Sequence, residues 1–153
     1  MSNYSIKIEN LPEIRKMFKK FPIAMSRELH VATVRSVGIV ERNVKREAPV
    51  NKQSGGGSLR QSIKGDMTAY TTGRIEVGAK YAMAVEKGTR PHVIRPKVKK
   101  GLANKRTGQF FGKIVHHPGT SPNPFFSRGV KASEADVRNQ FQKAVQRVIN
   151  SKA

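Results

Sequence analysis

The chain has no cysteine and few acidic residues. Without cysteine it can build neither a disulfide framework nor a thiolate metal site. No uninterrupted apolar run is long enough to span a bilayer. The amino terminus, Met1-Ser2-Asn3-Tyr4-Ser5-Ile6-Lys7, lacks the apolar run of a secretory signal. A soluble cytoplasmic product without a membrane partner is the expectation. Ten Asp and Glu stand against thirty Lys and Arg, a formal charge of +20. From Lys87 through Ser133 there is no acidic residue at all, while Lys87, Arg90, Arg95, Lys97, Lys99, Lys100, Lys105, Arg106, Lys113, Arg128 and Lys131 are basic. Such a stretch attracts any nearby polyanion, but charge alone carries no specificity. A surface that docks an acidic protein explains it equally well.

The signatures of chemistry are missing as well. There is no Gly-x-Ser-x-Gly elbow and no dinucleotide fingerprint. The three glycines of 55–57 are followed by Ser58-Leu59-Arg60, whereas a phosphate loop needs Gly-Lys-Ser/Thr opening a helix. Zinc needs three or four convergent ligands. Of the four histidines, His116 and His117 are adjacent and point to opposite faces of an extended segment. His30, on the long helix, has no His, Asp or Glu one turn on. Glu86 is the one carboxylate inside a constrained, motif-like segment, and an ion pair or a backbone cap is its expected role. No enzyme, no metal and no cofactor is expected.

Helical patterns bracket the chain. Asn10-Leu11-Pro12-Glu13 has the chemistry of a helix start, and the short helix it opens is interrupted at Phe21-Pro22. A long helix is expected over 22–47, with Leu29, Thr33, Val37, Val40 and Val44 as its buried stripe. Arg27, Arg35, Arg42, Lys45 and Arg46 lie mostly off that stripe. Lys45 and Arg46 also suit the negative end of the helix dipole, and Ala48-Pro49 ends the helix. Gly38 inside it costs about 1 kcal/mol relative to alanine and reads as a point of close helix approach. A last helix is expected after Asn123-Pro124, burying Val130, Val137, Phe141, Ala144, Val145 and Val148, with Arg138, Lys143 and Arg147 outside.

Between these helices the chain reads as strand and loop. Residues 4–9 alternate as a short edge strand, Leu59-Arg60-Gln61-Ser62-Ile63 begins the strand region, and 63–68 with 70–79 form a hairpin. Ile75 and Val77 share one face of it. Residues 81–86 are either a single helical turn or a strand start, ended by Gly88. Pro91-His92-Val93-Ile94-Arg95-Pro96 is a proline-fenced edge strand, and 109–115 is another strand. Two polar loops, near 50–58 and 97–108, are expected to be mobile. Residues 116–126 hold three prolines and one glycine, a stiff connection with its bend at Pro118-Gly119. With 153 residues and no internal repeat, the expectation is one α+β domain: an antiparallel sheet packed, mainly on one face, by the long N-terminal-half helix and the C-terminal helix.

Several of these stretches together resemble a known family. In order they are Ala48-Pro49 with its Gly-rich polar gap, Leu59-Arg60-Gln61-Ser62-Ile63, and Tyr81-Ala82-Met83-Ala84-Val85-Glu86-Lys87-Gly88-Thr89. Ile94-Arg95-Pro96-Lys97 follows, then Val115-His116-His117-Pro118-Gly119-Thr120, Pro122-Asn123-Pro124-Phe125-Phe126 and a C-terminal helix. This order, over about residues 10–150, is similar to the gene-product-ten-like neck proteins of long-tailed bacteriophages, also called tail-completion or minor tail proteins. The combination and spacing carry the likeness, not any single motif. The resemblance implies a non-enzymatic virion part, assembled in the bacterial host cytoplasm, that lets a finished tail join a filled head. It implies rings, often hexameric, around the DNA channel, with tail terminator or tail tube proteins and head–tail connector proteins as partners. The family has no catalytic residues to carry over. Its motif positions map onto Tyr81, Glu86, Gly88, Thr89, His117, Pro118, Gly119, Pro124 and Phe125, candidates for subunit or partner contacts. Arg95, Lys97, Lys99, Lys100, Lys105 and Arg106 would face the DNA channel or an acidic ring. The competing expectation is a nucleic-acid-binding protein without sequence preference, with Phe110 and Phe111 beside the basic loop as stacking platforms.

Overall fold

The computed structural model describes residues 2–4, 23–50, 56–96, 101–104 and 107–150. The expected first helix near 10–21, and residues 5–9 of the first expected strand, lie outside the described residues. In chain order the elements are β1 (Ser2–Tyr4), α1 (Ile23–Glu47), α2 (Ser58–Gln61), β2 (Ile63–Ala69), β3 (Thr72–Val77), α3 (Ala82–Lys87), β4 (His92–Ile94), β5 (Leu102–Ala103), β6 (Phe110–Gly112), β7 (Val115–His117) and α4 (Phe125–Asn150). The class is α+β and every strand pairing is antiparallel. The strands fall in three sheets rather than one: β1-β3-β2, and the ribbons β4-β7 and β5-β6. No helix among the described residues is long and apolar enough to cross a membrane. The chain divides into two compact units, Met1–Ala82 with Phe125–Ala153, and Met83–Pro124.

The first unit is organised by α1 and α4. Ala48-Pro49 follows Glu47, so α1 stops where local chemistry dictates. Its stripe is buried at Thr33, Val40 and Val44, and it extends to Met25, Ala32, Ser36 and Asn43, while Leu29 and Val37 are half-buried. Small and polar residues replace aliphatics on that face because α4 lies close. A Cβ added to Gly129 of α4 would sit 2.5 Å from the Val44 Cα and 2.7 Å from the Val44 nitrogen. One turn on, the Ser133 hydroxyl donates to the Gly129 carbonyl (2.7 Å) and accepts from Asn43 Nδ2 (2.9 Å). Ser133 and Asn43 are both buried. Each bond contributes about 1 kcal/mol net, and losing one partner would strand the other without water. Arg128 pairs with Glu47 at 2.9 Å and Arg147 with Glu28 at 2.8 Å, so the two helices run antiparallel.

The seam corrects one expectation. Gly38 marks no close approach: it is exposed, with nothing within 4 Å of an added Cβ. Gly129 marks it instead. Gly38→Ala is accordingly expected to raise stability by about 1 kcal/mol, read as a higher thermal midpoint. Gly129→Ala is expected to lower it by about 1–3 kcal/mol, because backbone atoms rather than a flexible side chain stand in the way.

The hairpin β2–β3 pairs Ile63 with Val77 and Gly65 with Ile75, and bulges between Met67 and Ala69. Ile63, Ile75 and Val77 are buried on one face, as the alternation predicts. Val37 of α1 fills a notch above Gly65 and Gly73, where an added Cβ would lie 2.5 Å and 2.1 Å from its methyls. The Gly65 N–H donates to Glu41 Oε2 at 3.0 Å, and Glu41 also pairs with Lys45 one turn on. Burial pushes the Glu41 carboxyl up, but the hydrogen bonds from Lys45 and Gly65 and the Lys45 charge outweigh it, so its pKa is lowered overall. A carboxyl whose folded pKa lies below its unfolded value adds stability that is complete above the unfolded value, about 4.3. That stability is lost as pH falls through the folded value. The stability gap between the wild-type protein and Glu41→Gln should therefore be widest near neutrality and shrink as pH falls below the ordinary carboxylate range, measured by urea unfolding at stepped pH.

Residues 58–61 form a single helical turn, not the start of a strand; the strand begins at Ile63. Leu59 of that turn is buried. Four residues are too few to show a period. At the other end of the unit, α4 begins at Phe125 directly after Pro124 and buries Phe125, Phe126, Gly129, Ser133, Ala144 and Val148. Val130, Val137, Phe141 and Val145 are half-buried, and Arg138, Lys143 and Arg147 are exposed.

Candidate functional site

The second unit, Met83–Pro124, carries nine lysines and arginines against one acid, Glu86, which is buried. Its frame is a clasp between two Gly-Thr dipeptides. Gly88 ends α3 with φ +71, and Gly119 makes the bend after Pro118 with φ +89. Both values lie where only glycine sits without strain. The following threonines exchange both backbone bonds, Thr89 N–H to the Thr120 carbonyl at 3.0 Å and Thr120 N–H to the Thr89 carbonyl at 3.1 Å. Their hydroxyls meet at 3.1 Å. The glycines are also needed for room. A Cβ on Gly88 would lie 2.4 Å from the Thr120 carbonyl oxygen, and one on Gly119 would lie 2.3 Å from that of Thr89. Asn123 N–H donates to the Val85 carbonyl at 2.9 Å and extends the clasp toward α3.

Beyond the clasp, β4 and β7 pair His92 with His117, Val93 with His116 and Ile94 with Val115. The His92 and His117 rings stack, centroids 4.9 Å apart and 25° from parallel. His92 Nδ1 lies 2.9 Å from the Arg90 carbonyl, so that nitrogen carries its proton. His117 Nδ1 accepts from the Gly119 N–H at 3.0 Å, so that nitrogen is bare. Each imidazole is held by the backbone of its own turn, and the pair is a structural element of the ribbon. His30, in the first unit, stacks on Tyr70 and donates to its carbonyl at 2.7 Å. No group of three or more His, Asp or Glu that could hold a metal ion occurs among the described residues.

The second ribbon is the hairpin β5–β6. Asn104 N–H donates to the Gln109 carbonyl at 2.8 Å and Gly108 N–H to the Asn104 carbonyl at 2.9 Å. The region expected to be one polar loop over 97–108 thus contains a strand and half a hairpin. Residues 97–100 and 105–106 lie outside the described residues, so Lys97, Lys99, Lys100, Lys105 and Arg106 have no described position. The single strand expected over 109–115 is two strands, separated at Gly112, whose φ of +95 no strand interior adopts. That break sends β6 and β7 to different partners.

The residues singled out by the resemblance separate by role. Gly88, Thr89, His117 and Gly119 come together in the clasp and its ribbon, and Glu86 is buried next to them in sequence. Pro118 and Pro124 are exposed. Tyr81, in the first unit, is half-exposed, and its hydroxyl meets the Ser58 hydroxyl at 2.7 Å. Phe125 is only 1% exposed and is a core residue of the first unit, not an accessible contact. Arg95 is exposed. Surface positions that the sequence reading passed over are Val93 and Ile114, both about half exposed, which join Phe110 and Phe111 as bare apolar side chains of this unit. Strand alternation was the available signal for Val93, since His92 and Ile94 face the other way. The clasp had one too, the Gly-Thr dipeptide occurring at both 88–89 and 119–120. Comparison with family models, with characterised proteins and with solved structures finds no match.

Proposed function

We propose that this chain is a structural subunit of the neck of a long-tailed bacteriophage, completing the tail and joining it to the head connector as part of a ring. One observation carries the proposal. The two stretches that hold most of the motif positions, 81–89 and 115–124, lie far apart in sequence yet are hydrogen-bonded partners in the Thr89–Thr120 clasp. Motif residues that hold one another explain why such a pattern would persist without any catalytic role. The scaffold they make bears Val93 and Ile114 uncovered, side chains suited to burial against neighbouring subunits. A ring closes such heterologous contacts on themselves and leaves none open.

The test is electron microscopy of particles produced with this gene interrupted. Filled heads beside separate full-length tails, rejoined on adding the purified protein, are the expected result. Heads without any tails would move the protein to an earlier step in tail assembly. Intact infectious particles would remove it from the virion pathway.

A further inference from the structure

The second unit presents cations that no acid among the described residues neutralises. Lys87, Arg90, Arg95 and Lys113 are exposed, and none has an ion-pair partner among the described residues. The first unit differs: its Glu28, Glu41, Glu47 and Glu76 each hold an arginine or lysine. Six of the nine basic residues in the second unit are lysine. Lysine is depleted from protein–protein interfaces, whereas it binds phosphate well as a point charge. The one carboxylate of the unit is buried, so no surface acid within it repels a polyanion.

The same unit exposes two aromatic rings next to each other in sequence. Phe110 is 67% exposed and Phe111 48%. β6 bulges between the pairs Ala103–Phe110 and Leu102–Gly112, which leaves Phe111 without a residue opposite it in the ribbon. An added Cβ at Gly101 would lie 2.3 Å from Phe110 Cε2, so the missing side chain leaves the ring its place along the hairpin. A two-stranded hairpin with both rings bare forgoes the burial that normally stabilises it. The matching ligand is a polyanion whose repeating units offer flat apolar faces. The geometry points to single-stranded nucleic acid as the ligand of the β5–β6 hairpin, its phosphates held by the unpaired cations and its bases stacked on Phe110 and Phe111. This stands apart from the neck reading, since particle assembly and strand binding are measured separately.

The experiment is fluorescence anisotropy of a labelled oligodeoxythymidylate over a salt series, with the full chain and with a Phe110→Ala, Phe111→Ala double variant. Both rings are largely exposed, so the variant should keep the wild-type circular dichroism spectrum. Expected is binding whose log K falls linearly with log salt concentration. The double variant should bind at least about tenfold more weakly at every salt concentration with an unchanged slope, because stacking carries no charge. Lys113→Glu should make the slope shallower. Equal binding by wild-type and double variant would overturn the proposal. So would equally tight binding of duplex DNA, or displacement by polyglutamate of matched charge as effectively as by unlabelled strand, the last marking an acidic protein surface as the partner.

Discussion

Replacing Phe125 by alanine should cost the isolated protein about 3–5 kcal/mol, the range for truncating a buried phenylalanine. A drop in thermal midpoint on the order of 10 °C follows for a chain of this size. Among the described residues Phe125 is the largest side chain that is fully buried, and it opens α4 directly after Pro124. The transfer term and the cavity both count, because the side chain is fully buried and a close-packed core relaxes only partly around a void. Differential scanning calorimetry of the purified chain decides the matter. If Phe125 were a contact for a neighbouring subunit, the isolated variant would melt with the wild type and only assembly would suffer. Core burial predicts the reverse order of loss, stability first.

The second large effect is expected at Gly119. Gly119→Ala places a side chain at φ +89, which costs roughly 1–2 kcal/mol for any L residue. The new Cβ would also stand 2.3 Å from the Thr89 carbonyl oxygen. That oxygen belongs to the backbone and is already accepting from Thr120, so it cannot move without breaking the clasp. Strain and overpacking together are expected to exceed about 3 kcal/mol. The loss should be local. Amide hydrogen exchange is expected to show Thr89 and Thr120 losing protection together with β4 and β7, while amides in the middle of α1 keep theirs. Retained protection at Thr89 would refute the clasp as the frame of the second unit. The same measurement bears on function, since an open clasp would misplace the Val93 and Ile114 surface without touching either residue.

These two substitutions differ in what they say about the neck proposal. Phe125 and Gly119 both sit at positions where the sequence resembles a phage neck protein, and both are held inside their own unit. Residues available for neighbours lie elsewhere, at Val93, Phe110, Phe111 and Ile114 and among the unpaired cations. A mutational search for assembly defects is therefore best begun on those side chains, where stability changes should stay within about 0.5 kcal/mol.

Much of the framework was determined by the sequence alone, wherever the signal is local. An amphipathic stripe marked α1, and Ala48-Pro49 fixed its end to within a residue. Alternation set the hairpin β2–β3 and put Ile75 and Val77 on its buried face. Gly88 ended α3, and Pro118-Gly119 marked the bend. Each of these follows from the backbone chemistry of a few consecutive residues. Tertiary structure alone decided which distant segments meet. It chose Gly129 over Gly38 as the point of helix contact, because close approach depends on what the partner helix presents, and Val44 is not visible from α4. It broke 109–115 at Gly112 and gave the two halves different partners. It paired Thr89 with Thr120 and stacked His92 on His117, contacts whose loop closure no local pattern reports. It also sorted the motif residues, turning Phe125 inward and leaving Phe110 bare. Residue type makes a phenylalanine worth burying; only the packing around it decides whether it is buried.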